Sequence, residues 1–573
     1  MSLVNKFIKN NSLNDASIDI KNSDKKFLEE NLLDEMGDKL DPNDDRRGVY
    51  NNMFFFMRLR PDVHNLVQQI IEMKDDDSFT ILEKHLAMST FYHENWHWWQ
   101  YIGSTSGLIS SLAFPAQITT NLIDLKKHIS LSGKVKPIIR YAKKLPPTEK
   151  ASLKEKNEIN KIKAILIQAE AIRYYRMFVK EPVKLAGKVQ HREAEYFKSV
   201  GYSFYTAYIS SIMLLRSVFG DSHSFLPSPY PWVEKFNELQ KKNKQNYHDF
   251  SELVIYPIDT RSLYEGQARF NQLLYLNIAS NKKLDWSEFD HYKMLEGVYY
   301  EAFTHFMNIL HIEKRPESIN DPLIALYLLI IDIAINPTEG FPFDIINPHA
   351  FVELTNPGTR FIYLCHIVND SHPELKNAIT SYSGEEYKNV TRIICDSAKF
   401  HLPEHYENKV RGWCENESCI IDLLKQNESF KYESSNILIR IVFARFLSFQ
   451  LDKFEKPEFF CWPGAYMNDV YKNKELEKLH FKHFAIFRDD KNRNIAPATS
   501  KSVSNENILN TTFQFYQALG VYDLCRQWIY EDGPFKYRFA WTRDSEVEDD
   551  IKNELNSSYQ AYFGESLDGF REF

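Results

Sequence analysis

TILEKHLAMSTFYHENWHWWQYIG, residues 80 to 103, is apolar on nearly every face of a helix, with Leu82, Leu86, Met88, Phe91, Tyr92, Trp96 and Trp99 spread around it. Ser78 or Thr80 can cap its start and Gly103 can end it, so the stretch predicts a buried helix. Side chains four apart on a helix point the same way, one turn above each other. His93 and His97 can therefore reach a single metal ion from one face. In HExxH strings the residue after the first His, here Glu94, does not bind the metal; it takes the proton of the attacking water.

An HExxH string also arises by chance, so its flanks matter. Thr90, the uncharged Phe91, Asn95, Trp96 and Trp98, and the apolar Trp99 leave neither Pro nor charge to interrupt the helix, and the Trp residues keep its surroundings dry. This context resembles the extended pattern of the zincin metallopeptidases. Such a site needs a third protein ligand. The HExxHxxGxxH extension of the metzincins is absent, since WWQYIGSTSG follows His97.

The best third ligand is Glu265, in IDTRSLYEGQARFNQLLYL, where Asp259 or Thr260 can cap a helix whose apolar stripe is Leu263, Phe270 and Leu274. Gly266 and Ala268 beside it would let a second helix come close. This arrangement looks like the gluzincin branch of the zincins, whose second helix brings a Glu to the HExxH pair. The resemblance covers residues 90 to 100 and 263 to 269, and implies one zinc ion on His93, His97 and Glu265, with Glu94 as general base. The long gap between His97 and Glu265 departs from the gluzincin pattern: either residues 110 to 255 are an insertion, or Glu265 caps or ion-pairs with Arg261 or Arg269. Peptidases of this type also hydrogen-bond the oxyanion, for which LEGVYYEAFTHFMNILH offers Tyr299, Tyr300 and His305. Glu301, His191 and His223 are looser alternatives, and each of these residues can equally be core or surface packing.

Around this centre the pattern predicts a mainly α protein: a multi-helix zincin-like core, a small β element and a helical carboxy-terminal region. Residues 1 to 48 read as a flexible arm, 49 to 345 as the metallopeptidase-like domain with a basic helical insertion at about 110 to 255, and 346 to 573 as a carboxy-terminal domain, with the break near 345 to 360. One small sheet is expected near Met53, in NNMFFFMRLRP, and another in KHFAIFRDD and KYRFAWTRD. PLIALYLLIIDIAINP, from Pro322, carries Asp332 and is too short for a bilayer, so it reads as a buried helix and no membrane partner is expected.

The net charge of -8 gives no basis for nucleic-acid binding. Six cysteines without CxxC pairs, and no secretory leader, point to a reducing cytoplasm; Cys414 and Cys419 lack the second pair a zinc knuckle needs. The expected function is hydrolysis of a peptide bond in a protein or peptide, with a regulatory protein partner left open. Two other readings stand beside it. Glu94 and His97 also form an ExxH pair, matched by Glu477 and His480, as in ferritin-like di-iron carboxylate oxidases and oxygenases. A helical scaffold without enzymatic activity would use HENWH for packing alone.

Overall fold

The computed structural model describes residues 47–71, 81–190, 195–253, 256–490, 495, 497–500, 502–539, 541–542 and 548–572. It is mainly helical and divides into two compact units. The first takes the described residues up to Leu108, Val254–Glu417 and Arg445–Ser500; the second takes Ile109–Leu253, Ser418–Ala444 and the described residues from 502 on. The second unit thus opens with the stretch read as a basic insertion. No division falls near 345 to 360: the stretch from 346 on contributes to both units, because chain order does not dictate which helices share a core. The arm read over residues 1 to 48 lies outside the described residues, Arg47 and Gly48 apart.

In the first unit β1 (Gly48–Asn51) pairs antiparallel with β2 (Phe56–Leu59), Gly48 opposite Leu59, and β3 (Phe487–Arg488) runs parallel to β2. The Asn51 side chain accepts from the amides of Met53 and Phe54 and so folds the turn, with Phe55 at φ 56°. The stretches around Met53 and in KHFAIFRDD therefore form one sheet rather than two. In KYRFAWTRD the described residues carry no strand. Asp489, just after β3, accepts from the Leu59 amide at 3.1 Å and meets His64 Nε2 at 2.6 Å, tying the sheet to α1 (Pro61–Ile71).

α2 (Ile81–Trp98) is buried at every residue from Ala87 on, as its apolar pattern predicts, and continues as a π turn over Trp99–Gly103. The expected caps Ser78 and Thr80 lie outside the described residues. α3 (Thr260–Ala279) starts at Asp259, whose side chain accepts from the Ser262 amide at 2.7 Å. It runs antiparallel to α2: Gln100 contacts Tyr264, Ser89 contacts Gln272 and His85 contacts Tyr275, so one number rises as the other falls. Ala268 is buried and lines one small cavity together with Trp96. Gly266 serves a different helix approach. A Cβ there would lie 2.5 Å from the Tyr327 hydroxyl and 3.6 Å from Ala302 Cβ.

Ala302 and Tyr327 belong to α4 (Val298–Ile309) and α5 (Pro322–Ile335), which also pack on α3. α5 is the apolar stretch from Pro322, buried from Leu323 to Ile335. Its one charge, Asp332, is matched inside the core by Lys453 Nζ at 2.6 Å and the Tyr387 hydroxyl at 2.8 Å, as a buried carboxylate requires. Among the described residues no helix is long and apolar enough to cross a membrane.

The second unit is built on the helices Leu153–Lys180, Val200–Phe219, Asn505–Tyr530 and Glu548–Phe563. Two short strands, Val135–Lys136 and Arg571–Glu572, pair in parallel beside them. All six cysteines are free thiols.

Candidate metal centre

One helical turn separates His93 from His97 on α2, and their rings stand edge to face at 89°, with centroids 4.6 Å apart. Both Nε2 atoms turn to the same point. They lie 3.1 Å from each other, and Glu265 Oε2 on α3 lies 3.3 Å from His93 Nε2 and 3.2 Å from His97 Nε2. Three donors that hold a tetrahedral ion at about 2.0–2.1 Å sit about 3.3–3.4 Å apart, so the observed triangle is close to one face of such a set. Two imidazoles and a carboxylate suit zinc, and among the described residues these three form the one group of His, Cys, Asp and Glu placed to hold an ion. The imidazoles are buried and so is Glu265 Oε2, the atom that faces them, whereas the Glu265 side chain as a whole keeps 22% of its exposure.

Gln100 orients His97. The Gln100 Nε2 donates to the Tyr264 carbonyl and to Gln267 Oε1, each at 2.9 Å, which turns its Oε1 toward His97 Nδ1 at 2.8 Å. An oxygen there requires His97 to donate from Nδ1, which leaves Nε2, facing Glu265, as the nitrogen that exchanges its proton for a metal ion. Because Gln267 and Tyr264 belong to α3, the same amide ties the two ligand-bearing helices together. Gln100→Ala should therefore keep the helical content and weaken zinc binding about 10–100-fold, as read by competition with a chromophoric chelator. His93 differs from His97 here, since its Nδ1 is buried without a hydrogen-bond partner.

Burial drives the His93 imidazole down to about 3, helped by the charge of His97. Burial pushes His97 the same way, but the Glu265 carboxylate outweighs it and raises His97 to about 9. Glu265 is raised by burial and lowered more by the two imidazoles, and ends well below its ordinary value. Without a metal ion the three groups thus share one proton, held on His97 against Glu265.

Glu94 is buried beside this triangle, against the start of β1. A Cβ on Gly48 would lie 2.7 Å from Glu94 Cγ, so only glycine lets the hairpin approach this carboxylate. Tyr299, from α4, brings its ring to 6.0 Å from that of His93, and its phenol is held above the usual range by burial. Its neighbour Tyr300 is elsewhere: it stacks on Phe270 at 6.2 Å and hydrogen-bonds Arg315. His305 is half-buried, lowered by burial, with Glu301 as its charged neighbour; Glu301 in turn accepts from the Ser262 hydroxyl at 2.8 Å. Of the three residues expected at the oxyanion, only Tyr299 adjoins the ligand triangle.

Arg269 does not ion-pair with Glu265. Its guanidinium carbon lies 4.0 Å over the Tyr299 ring, and Nη1 donates to Gln272. His191 lies outside the described residues, and His223, in the second unit, bonds Arg216 and the Gly220 carbonyl. His480, offered as half of a second ExxH pair, is buried among aromatic rings, 5.5 Å from Tyr92 and 4.6 Å from Phe484, with neither ring nitrogen hydrogen-bonded. Gln100 carries the one signal that could have marked it beforehand: an amide three residues after His97 shares its helix face.

No known protein family matches this chain, and no curated protein and no solved structure matches it.

Proposed function

We propose that this chain is a zinc-dependent peptidase that hydrolyses a peptide bond in a protein or peptide, with His93, His97 and Glu265 holding one zinc ion. The observation that carries the reading is the convergence of two imidazole nitrogens and a carboxylate oxygen at 3.1 to 3.3 Å, with Glu94 next to the first ligand. Zinc, when bound, acts as a Lewis acid and makes water a usable nucleophile near neutral pH. Glu94 accepts the proton of the attacking water and delivers it to the leaving amine, the general base and acid role its position in HENWH suits. Tyr299, kept protonated by burial, donates its hydroxyl to the negative charge that develops on the carbonyl oxygen. Gln100 keeps His97 in the tautomer that binds, and the Trp-rich wall of α2 excludes bulk water. The likeness of the HENWH and EGQAR segments to gluzincins belongs to this proposal.

Metal analysis of the purified protein, with cleavage mapped on a peptide library, tests the reading. One zinc per chain and hydrolysis supports it; stoichiometric iron with oxidation products, or neither metal nor cleavage, overturns it. The shared proton adds a second check. His97 sits near 9, so at pH 7 it is protonated, and zinc must displace that proton. One proton should be released per zinc bound at pH 7, and affinity should rise about tenfold per pH unit, flattening above pH 9. Calorimetry in buffers of different ionisation enthalpy measures this release.

A further inference from the structure

Arg269 stands one turn after Glu265 on α3, and its positive charge has no carboxylate partner in the site. Its guanidinium carbon is 4.0 Å over the Tyr299 ring, whose centroid is 6.0 Å from that of His93. Its Nη1 donates to the neutral Gln272, and Nε is buried without a hydrogen-bond partner. The carboxylate that spacing alone would pair with it, Glu265 at i,i+4, is turned to the imidazoles instead. Among the described residues no carboxylate lies within ion-pairing distance of Arg269. With zinc bound, the carboxylates of Glu94 and Glu265 offset its two positive charges, and the guanidinium is left over. A partly buried, uncompensated cation costs free energy unless an anion joins it.

We propose that Arg269 binds a carboxylate of the substrate, placed beside the bond that is cut. The inference rests on the peptidase reading and adds its substrate class: peptides with a carboxylate next to the scissile bond, from either a free C-terminus or an Asp or Glu side chain. A planar monoanion matches the guanidinium fork, and the Tyr299 ring holds that fork in place. Arg269 acts here as a specificity-determining residue.

Two small hydroxamates test this on the zinc-loaded full chain by calorimetry. Acetohydroxamate reaches zinc alone, and N-hydroxysuccinamate adds a carboxylate. Wild type should bind the second about tenfold tighter, Arg269→Gln should lose that preference while still binding acetohydroxamate, and Arg269→Lys should keep part of it. Malonyl hydroxamates N-linked to glycine, with its free C-terminal carboxylate, and to glutamic acid α-amide, with only its side-chain carboxylate, separate the two carboxylate sources, the tighter one naming the source. Equal binding of the first two probes to wild type, or an undiminished preference in Arg269→Gln, overturns the role of Arg269 and leaves the zinc reading standing. Failure of both probes to bind zinc-loaded wild type removes the zinc reading itself.

Discussion

Glu94→Gln is expected to hold one zinc per chain like wild type while hydrolysis falls by about a hundred- to ten-thousand-fold, the range general-base catalysis contributes. The amide is isosteric, so it fits the space against Gly48 that the carboxylate fills, where an added Cβ would already come within 2.7 Å of Glu94 Cγ. It does not belong to the ligand triangle, so zinc stays. What it cannot do is accept a proton. Zinc content by elemental analysis, set beside cleavage of the same peptide library, separates the two effects. Normal cleavage by Glu94→Gln would end the peptidase reading, whatever the metal content.

The second large effect is at Glu265. Glu265→Ala should lose stoichiometric zinc altogether, and with it the rise in thermal stability that added zinc gives wild type. Removing this carboxylate also removes the largest influence that raises His97, so burial, opposed only by Glu94 and Gln100, lets the imidazole give up its proton more readily than in wild type. Protonation therefore cannot explain the loss; only the missing ligand can, because two His residues do not complete a zinc site. The fall should exceed the effect of Gln100→Ala, which only orients a ligand. Retention of one tightly bound zinc by Glu265→Ala would move the third ligand elsewhere.

The local features of this centre are legible in the sequence. The i,i+4 spacing puts His93 and His97 on one face, the apolar run around them buries that face, and Asp259 starts the helix that carries Glu265. All of these depend on residues within a few turns of each other. Glu265 itself was open, since an ion pair with Arg269 satisfies the same local sequence. The antiparallel packing of α2 on α3 decides it by turning Glu265 to the imidazoles and Arg269 onto Tyr299.

Tyr299 and Tyr300 show the same limit more sharply. Adjacent helical residues point about 100° apart, so α4 can offer only one of them to the metal centre, and no property of the pair says which. Gly266 was read as a contact with the HENWH helix, yet it faces Tyr327, because a small residue records that something comes close without recording what. The strands at Phe56 and Phe487 share one sheet although hundreds of residues separate them, and the two units are each assembled from separate stretches of chain. By itself the sequence determined the helix, the two histidines with Glu94 beside them, and the helix that bears Glu265, since these depend on spacing along one chain segment. Which carboxylate, which tyrosine and which arginine join them was decided only by tertiary structure, because packing between distant segments sets those directions.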